Sequence, residues 1–374
     1  MSSGRFSTFL SGNNRHYLSF GAAANRLCSH DFLSSVAIEI IEGTIGRHES
    51  AESNKAYIPG VSASFVNTYS SPTTGSSVGS TTSAHTATLG YVARLTLRNT
   101  HEEKLLGLTV SHAIAPGIPG PVSIGKARAL RVVIESPSPS DHATWIDFLQ
   151  GERDAQVDED AMDEDNVSNT PGDSIWIETA EEFPRTIGTL FTTSGPTSTF
   201  RVLDKEERYR MDYGVVDLGP DAGRNLTNSL SQSAVEYLTG WVGEGPDKAS
   251  VFKTGRSTGT TVGTANAPKT ICRLYSAHDP KDIQALHFAI ISIPDDEQSD
   301  GFACAGDEGS MIWPLNGSSV PVGLVSCTLK ATPGCNIDVS GICFYTPINA
   351  VATHLTNVLE AEYGKDNFEL SWLD

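Results

Sequence analysis

Apolar and polar positions alternate along much of the chain from Ala87 onward, which is the pattern of half-buried strands. ATLGYVARLTLRN (87–99) alternates cleanly, and EKLLGLTVSHAI (103–114) follows as a second strand running into a loop. Their short separation predicts an antiparallel pair. Further short strands are predicted at ARALRVVIE (127–135), DSIWIET (173–179), RTIGTLFTTSG (185–195) and DYGVVDLG (212–219). NLTNSLSQSAVEYLTG (225–240) reads as a linker with a short helix. A second run of strands follows at ASVFKTGRST, TTVGTANAP, ALHFAIISI, SMIWPL, SVPVGLVSC and GICFYTP. Turn residues separate these segments, as in an all-β barrel. The helical period returns only at PINAVATHLTNVLEAEYG (347–364). There Pro347 suits a first turn, Ile348, Val351, Leu355 and Leu359 share a face, and Gly364 marks the stop.

The N-terminal 84 residues have a different texture. SHDFLSSVAIEIIEGTIG (29–46) carries a helical stripe at Phe32, Leu33, Val36, Ile40 and Ile41, while the β-branched Ile38, Ile40 and Ile41 also suit a strand. NTYSSPTTGSSVGSTTSAHTA (67–87) is rich in Ser, Thr and Gly and reads as a linker or an extended surface crossing. Within the β region, residues 151–170 interrupt the strands. Asp or Glu stands at 152, 154, 158, 159, 160, 163, 164 and 165, with Arg153 the one opposing charge. Such a segment has to stay solvated and is expected to be a disordered insertion.

Composition narrows the function classes. Of 374 residues, 45 are acidic and 26 basic, a formal net charge of −19. That surface repels nucleic-acid phosphates and anionic membranes at long range, and no basic run reverses it. No apolar run approaches the ~20 residues of a membrane span. The first residues lack a continuous apolar signal core, so an intracellular protein is expected. Gly 34 and Pro 19 suit a turn-rich β protein. The six cysteines form no C-x-x-C pair, and the acidic segment lacks the glycine-centred loop of a calcium hand. His85, His278, His287 and His354 show no metal spacing. No metal or cofactor is expected.

Three segments carry candidate chemistry in order: LTVSHAI around His112, RYRMDYGVVDLG around Asp212, and CAGDEGSMI around Glu308. They resemble the His, Asp and Ser segments of the chymotrypsin-like serine proteases. Glu308 stands at the nucleophile position of Gly306-Asp307-Glu308-Gly309. PRTIGTLFTTSG, VFKTGRSTGTTVGT, PVGLVSC and FYTPINAVATHL resemble further family segments, and the similarity spans residues 85–360. It implies an all-β fold of two six-stranded antiparallel barrels with a C-terminal helix and an N-terminal extension. The implied divisions are an extension over 1–84, a first barrel over 85–230, a second barrel and helix over 231–364, and a tail over 365–374.

The resemblance also implies roles. In the family, a histidine takes the proton of a serine hydroxyl, an aspartate fixes its tautomer, and backbone N–H groups stabilise the oxyanion. His112 would be the base, Asp212 its orienter, and the N–H groups of Gly306 and Glu308 the oxyanion hole. Asp307 would hold the turn through an internal ion pair, beside Gly309. Phe302, Val325 and Ser326 would line the primary pocket, and Cys304 would face Cys335, although an intracellular setting favours free thiols. Glu308 breaks the scheme, because a carboxylate has no hydroxyl proton to surrender. It is expected either to pair with His112 or to fold back onto the oxyanion-hole N–H groups. Ser310 lies past the turn, Ser111 adjoins His112, and Cys304 precedes the turn; each is weighed as a replacement nucleophile. The leading expectation is a catalytically silent protein that binds a protein or peptide. The alternatives are a hydrolase with a non-standard nucleophile, and a module whose own N-terminal 84 residues occupy the cleft.

Overall fold

The computed structural model describes residues 43–46, 72–160, 172–196, 198–201, 208–219, 250–276, 279–292, 301–315, 320–331 and 342–372. In chain order its strands are β1 (Gly43–Gly46), β2 (Ser77–Ser80), β3 (Ala87–Thr88), β4 (Tyr91–Leu97), β5 (Glu102–Thr109), β6 (Val133–Glu135), β7 (Thr186–Thr193), β8 (Ser198–Arg201) and β9 (Arg208–Met211). They continue with β10 (Gly214–Leu218), β11 (Ser250–Gly255), β12 (Gly259–Ser276), β13 (Asp279–Ser292), β14 (Met311–Pro314), β15 (Gly323–Ala331), β16 (Ile342–Pro347) and β17 (Phe368–Trp372). The helices are α1 (Ser111–Ile114), α2 (Ile124–Leu130), α3 (Pro139–Asp160), α4 (Gly172–Glu182) and α5 (Ile348–Tyr363).

Two closed antiparallel barrels result, as the resemblance implies. In the first, β3 and β4 are one bent strand broken only at Leu89 and Gly90. β4 pairs with β5, then the order runs β5, β10, β7, β6, β2, and β2 returns to β3. The second closes through β11, β12, β13, β16, β15 and β14, with β14 returning to β11. Alternation explains the strands: in β4 Tyr91, Leu95 and Leu97 are buried while Arg94 is exposed. The larger core cluster fills the first barrel and takes in Ala350, Val351, Leu355 and Leu359 of α5. The smaller one fills the second barrel.

Several segments differ from the sequence expectations. ARALRVVIE begins in helix α2, which ends at Leu130, and finishes in β6 from Val133. Ser123 caps that helix by accepting from Lys126 N–H at 3.4 Å, and Arg131 ends it in the left-handed region at φ 51°. DSIWIET lies in α4, because Ile177 and Ala180 face Trp145 and Leu149 of α3 at helical spacing. The acidic stretch as far as Asp160 continues α3 as helix, where a disordered insertion was expected. Residues 161–171 lie outside the described residues, as do 1–42, 47–71, the stretch 220–249 with its expected short helix, His278 and Cys335.

The expected domain limits also shift. β2, inside the Ser/Thr-rich stretch, belongs to the first barrel. β8 and β9, expected in that barrel, join the second sheet, where Tyr209 pairs with Leu286. The tail contributes β17, which extends the first sheet through β4. In all three cases main-chain hydrogen bonding decides membership, and side-chain pattern alone does not report it. No described helix is long and apolar enough to cross a membrane.

The bend between β3 and β4 is where the barrels meet. Gly90 has no side chain because a Cβ there would lie 1.9 Å from the Gly309 carbonyl oxygen. Gly90→Ala is therefore expected to cost about 1–3 kcal/mol, as overpacking does elsewhere. A urea unfolding curve with an unchanged midpoint would contradict this close approach.

Candidate active site

His112 begins just after β5, in the single turn of α1. Asp212 lies between β9 and β10. The Asp212 carboxylate organises the α1 entry: Oδ1 accepts His112 N–H at 3.3 Å and Oδ2 meets His112 Nδ1 at 2.9 Å. Ser111 N–H donates to the Asp212 carbonyl at 3.3 Å. Asp212 is buried, and the buried guanidinium of Arg210 stands 3.5 Å from its Oδ2 while Nε donates to the Pro196 carbonyl at 3.1 Å. A buried carboxylate thus has a cation on one side and an imidazole on the other. With Nδ1 facing the Asp212 carboxylate, Nε2 is the ring nitrogen on the side away from it.

Glu308 sits in the turn between Cys304 and β14. Gly306 at φ 90° and Gly309 at φ 92° supply the left-handed geometry that lets the turn close. The Glu308 side chain is buried, and its Oε2 accepts the Gly306 N–H at 2.7 Å. Among the described residues its Oε1 has no hydrogen-bond partner. Burial raises the pKa of this carboxyl. The positive field of His112 and the N–H groups of Glu308 itself and Gly306 oppose that shift without cancelling it. The carboxyl group therefore folds back on the N–H groups of its own turn, while lying within the electrostatic reach of His112.

Asp307 points the other way and is saturated. Its Oδ1 accepts Ser257 N–H at 2.8 Å and Thr258 N–H at 3.3 Å. Its Oδ2 accepts the Thr258 hydroxyl at 2.7 Å and Cys304 N–H at 3.1 Å, and meets Lys253 Nζ at 3.2 Å. Both side chains of that ion pair are buried. The first barrel holds the same turn: Thr88 Oγ1 donates to the Gly306 carbonyl at 2.8 Å and accepts Arg256 N–H at 3.0 Å. Arg256 forms a two-pronged ion pair with Asp141 at the start of α3, and its Nη1 fills the place a Gly306 Cβ would take.

The remaining residues singled out from sequence are placed as follows. Phe302 and Val325 pack in the second barrel core with Val251, Ile290 and Ile312. Ser326 Oγ donates to the Phe344 carbonyl at 3.2 Å and lies 3.4 Å from His287 Nδ1. His287 is buried and pushed down to about 3, by burial first and then by Arg210, so it is neutral. Ser111 Oγ accepts the Thr193 hydroxyl, and Ser310 Oγ donates to the Asp307 carbonyl at 2.6 Å. Cys304 is a free thiol pushed up to about 12, by burial and then by Asp307. Among the described residues no group of three or more His, Cys, Asp or Glu side chains is placed to hold a metal ion.

Arg210, Lys253, Thr88 and the Asp141–Arg256 pair were not expected from sequence. A signal existed for Lys253. It shares the inward period of β11 with Val251 and Gly255, so a lysine stood where the alternation called for an apolar residue.

No family model matches this chain, and no curated protein matches it. Solved structures with a similar fold are chymotrypsin-like serine proteases. Thermobifida fusca protease A shares 12% identity, with 81% of this chain and 99% of that one covered, at a TM-score of 0.35. A Nocardiopsis protease shares 12% identity over 80% and 98%, at 0.34. Cellulomonas bogoriensis chymotrypsin shares 12% over 76% and 94%, at 0.32. The likeness is one of fold.

Two outcomes follow from the buried charges. Lys253→Met leaves Asp307 uncompensated and is expected to cost about 3–5 kcal/mol, read by urea unfolding, whereas a loss within experimental error would remove the ion pair from the account. For Glu308, burial holds the folded pKa above the ordinary carboxyl value. Its stabilising contribution is present below that value and is lost as pH rises through the folded pKa. Glu308→Gln stays neutral, so its advantage over the wild type is absent at low pH and grows toward neutral pH to about 1–3 kcal/mol. A stability difference that does not change with pH would contradict the burial of this charge.

Proposed function

We propose that this chain is a protease-fold protein that does not carry out acyl transfer and acts instead by binding a protein or peptide segment at its cleft. One observation carries this reading: the Glu308 carboxylate accepts the Gly306 N–H at 2.7 Å. An incoming carbonyl would have to expel the Glu308 carboxyl oxygen from that donor before its own oxygen gained any stabilisation, and Glu308 offers no alcohol hydroxyl to attack with.

The replacement nucleophiles are poorly placed for the alternative of an active hydrolase. The Ser111 and Ser310 hydroxyls are committed to Thr193 and to the Asp307 carbonyl. The Cys304 thiol holds its proton at neutral pH, so its thiolate is scarce. The retained His112 and Asp212 have a structural task, since Asp212 fixes the backbone of α1 as well as the imidazole.

A fluorophosphonate probe tests the reading. The wild-type chain is expected to remain unlabelled, and Glu308→Ser is expected to gain labelling that Glu308→Ser/His112→Ala loses. Stoichiometric labelling of the wild type would overturn the proposal.

A further inference from the structure

Helices α3 and α4 form an arm inserted between β6 and β7. They pack on each other through Trp145, Leu149, Ile177 and Ala180, a cluster that takes in no residue of either barrel. Pro139 opens the first turn of α3, and Ser138 caps it, its Oγ accepting the Asp141 N–H at 3.3 Å. Ser138 N–H donates to Ser77 Oγ of β2 at 3.2 Å, which seats that turn on the first barrel. Asp141 is the third residue of the helix, where the unpaired N–H groups favour a carboxylate. Nothing about that position calls for burial, yet Asp141 is buried.

Its partner is Arg256, in the turn between β11 and β12. The guanidinium Nε and Nη2 donate to the two Asp141 oxygens, and both side chains are 5% exposed. The remaining nitrogen, Nη1, serves a different contact. It donates to Ser257 Oγ at 2.9 Å, and Ser257 Oγ in turn donates to the Ala305 carbonyl. A Cβ on Gly306 would lie 2.1 Å from Nη1 and 2.6 Å from Ser257 Oγ, so both groups rest against the Gly306 α-carbon. The Ala305 carbonyl and the Gly306 N–H belong to one planar trans peptide and point in opposite directions. Whatever fixes the carbonyl therefore aims the N–H, and this N–H is the one that meets Glu308 Oε2 at 2.7 Å.

We infer that Asp141 is a positioning residue for the Glu308 turn: through Arg256 and Ser257 it sets the direction of the Ala305–Gly306 peptide, which makes the α3–α4 arm a handle on the cleft. The inference goes beyond peptide binding and stands whether or not the cleft is silent. Asp307 cannot take over from Asp141, because its oxygens already meet Ser257 N–H, Thr258, Cys304 N–H and Lys253. Without Asp141 the guanidinium has no two-pronged partner in the core. Its way to one is outward to water, which takes Nη1 away from Ser257. The Ser257 hydroxyl is then free to rotate, and the Ala305 carbonyl loses its hold. A partner that shifts the first turn of α3 would reach the Gly306 N–H by the same route.

Amide hydrogen exchange of the full chain, read residue by residue by NMR, tests this. Asp141→Asn keeps the shape and removes the charge. It is expected to speed exchange at Gly306 about tenfold or more, while amides in the middle of β5 change by less than about twofold. Arg256→Lys keeps a charge opposite Asp141 but has no second prong for Ser257. It is expected to give the same local rise, and it carries the test if Asp141→Asn does not fold. In a Glu308→Ala background neither substitution is expected to speed Gly306 exchange further, because the bond that the relay aims is already gone. An unchanged Gly306 rate in either variant would overturn the inference. So would a rise shared equally with β5, or one that persists in full without Glu308. Fluorophosphonate labelling of the wild type is a separate outcome: it removes the silent-cleft reading and leaves these rates as the measure of the relay.

Discussion

A carboxylate is not taken out of water unless donors meet it, and Glu308 is met by the peptide N–H groups of its own turn. Those donors converge only because Gly306 and Gly309 adopt left-handed backbone and because Asp307, next to Glu308, is gripped from the opposite side by Lys253, Ser257 and Thr258. Adjacent acidic residues thus do opposite things. Asp307 ties the turn into the second barrel, and Glu308 closes the turn on itself. The first barrel adds its hold through Thr88 and through the Gly90 bend, where backbone touches backbone. The turn is therefore rigid because both barrels are built around it, independent of any reaction.

That rigidity bears on His112 and Asp212. Asp212 bonds the ring and the backbone N–H of His112, and Arg210 balances its charge within the core. Removing any member would strand a buried charge or an unpaired donor. Selection on chemistry is not needed to explain a constellation whose parts also maintain the packing between α1, β9 and β10. The same logic separates the fold from the activity: two barrels can present a cleft with its donors in place while the acceptor is the protein's own side chain.

The sequence disclosed the parts of this arrangement that repeat locally. Alternation revealed β4, β5, β7, β10 and most of the second barrel, helical period with Pro347 and Gly364 revealed α5, and the resemblance of the segments around His112, Asp212 and Gly306–Gly309 to those of the chymotrypsin-like proteases pointed to the site. It misled where a short apolar run fits either period: Ile175, Trp176 and Ile177 read as a strand, yet α3 offers Trp176 and Ile177 a helical partner. It was silent where membership depends on distant hydrogen bonds, as for β2, β8, β9 and β17. The buried cations Arg210 and Lys253 were invisible for a related reason. Their interior positions are tolerable only beside Asp212 and Asp307, residues 2 and 54 positions away whose proximity is a property of the fold.

Amide hydrogen exchange at Gly306 reads the central contact directly, because its N–H donates to the Glu308 carboxylate. Slow exchange is expected in the full chain, with an increase of about tenfold or more in Glu308→Ala, the factor expected when a bond of ~1.4 kcal/mol is lost. A Gly306 amide that exchanges at the same rate with and without the Glu308 side chain would contradict the account.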